Sequence, residues 1–172
     1  MKSMIAAVLL TVSSFTFADT EARFNLPSGV NVRITEALFS KEHAKISGCA
    51  DTGGTCLING RVPWGAAFML PKTFVRAISV SFQSKTYSLD ASDMYNAWGE
   101  RPLEHVGVVR YFGGKCFDAK NCQFRGLFSD GAATFVAEWR VVDGTSTRTV
   151  LSGSDDIVQL FRHNIDPPEF KE

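Results

Sequence analysis

Three histidines, two close pairs of carboxylates and four cysteines are the residues whose chemistry could define a function for this chain. The histidines are His43, His105 and His163, and none stands in an HExxH or other metal-ligand spacing. His163 falls at the C-terminal end of a predicted helix, where a cation is favoured. His105 stands beside Glu104, and His43 lies among Lys41, Glu42 and Lys45. Paired carboxylates can run glycoside hydrolysis, and Asp90 with Asp93 or Asp155 with Asp156 are the candidates. Asp155 and Asp156 suit the first turn of a helix, whereas Asp90 and Asp93 straddle a strand end and a capped turn. Neither placement needs catalysis to explain it. A serine nucleophile lacks its GxSxG frame, and Gly153-Ser154-Asp155 reads as a helix cap. Gly113-Gly114 has no phosphate-loop frame and reads as a turn. Asp118-Ala119-Lys120-Asn121 lacks the further ligands and the glycine of a calcium loop. No catalytic residue, metal site or cofactor is expected.

The cysteines are Cys49, Cys56, Cys116 and Cys122. Four cysteines allow three pairings, and spacing favours Cys49–Cys56 and Cys116–Cys122, each closing a short interval of turn-forming residues. A four-thiolate zinc site is the rival, but neither interval has the usual zinc spacing. The start of the chain bears on this choice. Lys2 is followed by an apolar run from Met4 to Val12 and by Thr16-Phe17-Ala18, the layout of a secretory signal peptide cleaved after Ala18. Ser13, Ser14 and Thr16 interrupt the run well before the roughly 20 apolar residues of a spanning helix. An exported, periplasmic location follows as the expectation, with oxidised cysteines and no stable membrane insertion after cleavage.

Residues 19–172 then form the expected single domain, and its elements must position whatever the protein uses. Val30, Val32 and Ile34 alternate with polar residues, a half-buried strand pattern. Residues 74–89 read as a hairpin turning at Gln83-Ser84-Lys85. Val106 to Phe112 reads as a run of β-formers ended by Gly113-Gly114, and Gln123 to Phe128 as a short strand. Ser129-Asp130-Gly131 turns into a strand from Ala133 to Val142. Asp143-Gly144, the strongest hairpin signal, leads into Thr145 to Leu151. Helix is predicted over 152–164, with Ile157, Leu160 and Phe161 as its apolar stripe and Pro167-Pro168 beyond it. A shorter helical turn is predicted over 91–98, and 36–47 is ambiguous. The fold class expected is mainly β (α+β): an antiparallel β-sandwich-like domain with a C-terminal helix, a small closed barrel being the alternative.

Eighteen Lys+Arg balance eighteen Asp+Glu, so no basic surplus points to nucleic acid or to an anionic membrane surface. The residues left for function are aromatic. The segment 93–101 combines Asp93, Tyr95, Trp98 and Arg101, and the loop around Trp64 has the same character. Such residues are enriched at the centres of protein–protein contacts. They are equally suited to plug a core beneath a loop.

Several stretches carry a resemblance: 85–101, Arg110-Tyr111-Phe112-Gly113-Gly114-Lys115-Cys116, 130–139, and Arg148-Thr149-Val150-Leu151 with the Pro167-Pro168 tail. In phrasing they resemble the periplasmic immunity proteins of type VI secretion effector pairs. The resemblance implies a partner, a toxin enzyme such as a lipase or peptidoglycan hydrolase, whose active site is blocked. It carries over no catalytic or binding residue. A small exported hydrolase using Asp90, Asp93 and His105, or a protein binding lipid or wall polymer through its aromatics, are the alternatives.

Overall fold

A computed structural model describes residues 19–48, 56–66, 69–98, 108–128 and 133–167. The leader, the Ser129-Asp130-Gly131 turn, Cys49, Arg101 and His105 lie outside the described residues.

Two four-stranded antiparallel sheets face each other across one core. The first contains β1 (Thr20–Asn25), β2 (Asn31–Leu38), β5 (Thr73–Phe82) and β6 (Lys85–Leu89), in the order β1-β2-β5-β6. The second contains β7 (Phe112–Cys116), β8 (Cys122–Phe128), β9 (Phe135–Val142) and β10 (Thr145–Ser152), in the order β10-β9-β8-β7. A two-stranded ribbon, β3 (Ile46–Ser47) with β4 (Leu57–Ile58), lies beside them. Alternation explains the packing: Val32, Ile34, Ile78 and Val80 from the first sheet meet Phe124, Phe128, Phe135 and Trp139 from the second. Phe128 is the hub, stacked on Phe135 at 5.2 Å and edge-on to Phe112 at 5.4 Å. The sandwich-like, mainly-β expectation therefore holds, with the β5–β6 hairpin turning at Gln83-Ser84 and the β9–β10 hairpin at Asp143-Gly144. Both Asp143 and Gly144 have positive φ, as a type I′ turn requires.

The helix α1 (Asp155–His163) covers the outer face of the second sheet. Val158 and Phe161 bury against Leu127 and Val136, while Leu160 is exposed. The apolar stripe thus runs through Val158 and Phe161, not through the predicted Leu160. Covering the outer face explains why β9 is buried continuously from Phe135 to Trp139. It also puts Glu138 under the helix, where Arg125 Nε donates to it at 2.8 Å and Thr149 Oγ1 at 2.9 Å. The Arg125 guanidinium lies 5.0 Å from the Phe161 ring and donates to the Asn164 carbonyl at 3.0 Å.

Three local expectations are corrected. Residues 108–111 form a turn of 3-10 helix rather than strand. Gly113-Gly114, read as the turn, are strand residues of β7. A Cβ on Gly113 would sit 2.2 Å from the Ile165 carbonyl oxygen, and one on Gly114 2.5 Å from the Phe124 ring. Close approach, not chain reversal, demands glycine there. Residues 91–98 are not helical, because Met94 and Tyr95 bond sideways to neighbouring segments.

Candidate functional site

The structure joins two loops that the sequence presents separately. Trp64 N–H donates to the Asp93 carbonyl at 2.9 Å, and Tyr95 N–H donates to the Trp64 carbonyl at 2.8 Å. Val75 N–H reaches the Met94 carbonyl at 2.9 Å, so the three segments form one bridged platform. Three left-handed residues shape it, Gly65 (φ 89°), Asp93 (φ 63°) and Asn96 (φ 41°), all of types that tolerate that region. Asn96 ties it down: its Oδ1 accepts from the amides of Lys72 (2.9 Å) and Thr73 (3.2 Å), and its Nδ2 donates to the Gly65 carbonyl at 3.1 Å. Arg61 Nη1 lies 3.2 Å from Asp93 Oδ2. Burial pushes the Tyr95 hydroxyl pKa up, and the nearby Asp93 charge adds to it.

Of the residues singled out by composition, Trp64, Asp93 and Tyr95 are thus neighbours, all half-buried. Trp98, also half-buried, turns toward the core, 6.2 Å from Phe112 and 6.0 Å from Phe128. The Tyr95 ring meets Phe39 edge-on at 5.9 Å. Leu38 (51 % exposed), Val62 (45 %) and Met69 (65 %) lie on segments leading into the platform. These exposed aliphatics do not stand out in the sequence, since a strand end, a loop and a bend contribute one each.

Beneath the platform a β-bulge re-aims the sheet. The β2–β5 register shifts between Thr35 and Glu36, leaving Arg76 and Ala77 both exposed. Glu36 is buried instead, and its Oε1 accepts from Thr73 Oγ1 at 2.5 Å and from Ala97 N–H at 3.3 Å. A groove of about 850 Å³ runs over the outer faces of β2, β5 and β6 to Asp93 and Tyr95. Arg33 and Arg76 line it. Neither stands out in the sequence; the available signal was an arginine among small and hydroxyl residues at outward strand positions.

The carboxylates at 90 and 93 are both paired, Asp93 with Arg61 and Asp90 with Ser92 and Arg148. Burial works to raise the Asp90 carboxyl, but hydrogen bonds from the Ser92 hydroxyl (2.5 Å) and amide (2.9 Å), with the Arg148 charge, hold it below the ordinary aspartate value. Arg148 also donates to the Ser92 carbonyl at 2.6 Å, and Trp139 Nε1 to the Asp90 carbonyl at 2.8 Å. Asp90 therefore serves as a turn clamp between the sheets. Cys116 and Cys122 are disulfide-bonded across the β7–β8 hairpin. Cys56 is buried and disulfide-bonded as well. Among the described residues no group of three or more His, Cys, Asp or Glu could hold a metal ion. None of their helices is long and apolar enough to cross a membrane.

No family model, curated protein or solved structure matches the chain.

Proposed function

We propose that this protein is an exported inhibitor, an immunity protein that binds and neutralises a toxin enzyme delivered to the cell envelope. The observation that carries the reading is the Trp64/Asp93–Tyr95 platform: half-buried aromatics held by main-chain bonds, with exposed aliphatics on the segments that lead to it. A surface ordered before binding loses less entropy on association, which suits a tight inhibitor. The leader pattern of residues 1–18 and the Cys116–Cys122 bond support export to an oxidising compartment, the periplasm. Asp90, spent on Ser92 and Arg148, favours binding over hydrolysis.

The test is inhibition. The purified protein is mixed with the product of the adjacent gene and with envelope-acting lipases and peptidoglycan hydrolases of type VI secretion systems. Stoichiometric inhibition of one of them, lost on Tyr95→Ala, is the expected result. Hydrolysis of lipid or peptidoglycan by the protein itself, or indifference of every enzyme to it, would remove the reading.

A further inference from the structure

The groove on the first sheet has a chemical signature of its own. Its floor presents the outward residues Thr35, Ser79, Thr86 and Ser88, and its charged groups are Arg33, Arg76 and Asp93. Asp93 is matched by Arg61 at 3.2 Å, which leaves Arg33 and Arg76 as the groove's recognition charges. Strands β2 and β5 are each hydrogen-bonded on both sides. Their main-chain groups are therefore occupied, and recognition in the groove falls to side chains.

The chain itself shows what the two guanidinium groups accept. Arg76 Nη1 donates to Asp19 Oδ2 at 2.6 Å, and Arg33 Nε and Nη2 both lie 2.5 Å from Glu21 Oε2. Asp19 and Glu21 are alternate residues of the extended segment that opens β1. Alternate residues of an extended chain point to one side, about 7 Å apart. The arginines are thus spaced for carboxylates in an acid-x-acid pattern. The Arg33 and Arg76 side chains are 54 % and 55 % exposed, Glu21 and Asp19 28 % and 32 %, and Glu21 also pairs with Arg23; surface ion pairs of this kind are weak and exchangeable.

We infer that the groove binds an extended acidic segment of a partner protein, with carboxylates on alternate residues. Asp19 and Glu21 hold, from the sheet edge, the guanidinium positions that such a segment takes. The hydroxyls of the floor meet its peptide groups, and Phe74 and Tyr95 contact it at the platform end. This deepens the inhibitor reading and rests on it for the partner being a protein.

The experiment titrates the purified exported protein with a short, end-blocked peptide carrying Glu at alternate positions. Its Gln counterpart and an oligogalacturonate of equal charge are run beside it, by calorimetry. The acidic peptide should bind, and binding should weaken with salt. Arg33→Gln/Arg76→Gln should cut affinity about tenfold or more, and Asp19→Asn/Glu21→Gln should raise it by freeing the arginines. No binding, equal binding of the Gln peptide, an unchanged affinity in the arginine variant, or tighter binding of the oligogalacturonate would each overturn the inference. The two readings separate cleanly. Enzyme inhibition retained by Arg33→Gln/Arg76→Gln sinks the groove and spares the inhibitor. Peptide binding by a protein that inhibits nothing does the reverse.

Discussion

Gly65 is the residue on which the platform turns. Its φ is +89°, and a Cβ there would lie 1.9 Å from the Tyr95 carbonyl oxygen and 2.8 Å from the Phe135 ring. Two costs therefore add in Gly65→Ala: a strained left-handed backbone and an overlap that main-chain atoms must absorb. The expected loss is about 3 kcal/mol or more, read as a lower urea midpoint with unchanged slope. A wild-type midpoint would show that the bridge between Trp64 and Tyr95 is loose enough to open. Part of this site was legible from sequence. Trp64, Asp93 and Tyr95 declared themselves by type, because aromatics beside charges on a turn-rich segment are unusual in a core. Their junction was not legible, since it consists of main-chain bonds between residues far apart in the chain. Arg33 and Arg76 were hidden for a related reason: outward arginines on strands look alike until the register and the bulge are known.

At the scale of elements, β7 shows how one glycine pair can be read in two ways. Gly113-Gly114 next to a cysteine loop suggests a reversal by local rules. The structure instead uses the missing side chains to let the segment after α1 cross β7 at Ile165 and Asp166. That segment lies outside any local window, so the sequence rule misleads there for a physical reason. The same holds for β1, whose residues alternate too weakly to announce a strand and gain their order from pairing with β2. By contrast β2, β5 and β10 were legible from alternation, and β8 and β9 from runs of β-formers beside turn signals, because both are local properties. Gly113→Ala tests the reading of β7. It should destabilise by about 1–3 kcal/mol and raise amide exchange selectively around 161–167. Faster exchange confined to the β7–β8 hairpin would restore the reversal interpretation.

For the whole molecule, the helix and the second sheet are joined by a charge that water barely reaches. Glu138 is 5 % exposed. Its burial alone would raise its pKa, but hydrogen bonds from Arg125 and Thr149, with the Arg125 charge, bring it below the ordinary glutamate value. Asp90, which clamps the edge where β6 meets β10, is lowered in the same direction. A carboxylate with a depressed folded pKa stabilises fully above its unfolded pKa of about 4. Between the two values the unfolded chain binds more protons, so stability falls as pH falls. The wild-type urea midpoint should therefore be level near neutrality and drop below about pH 4. Glu138→Gln separates the contribution of the interior from that of surface charges. Near neutrality it should cost about 3–5 kcal/mol, because Arg125 is left under α1 without its countercharge. Toward pH 3 the difference between variant and wild type should narrow, since protonation removes the same charge from the wild type. A gap that stays constant from pH 7 to pH 3 would mean that packing, not the ion pair, holds the helix to the sheet.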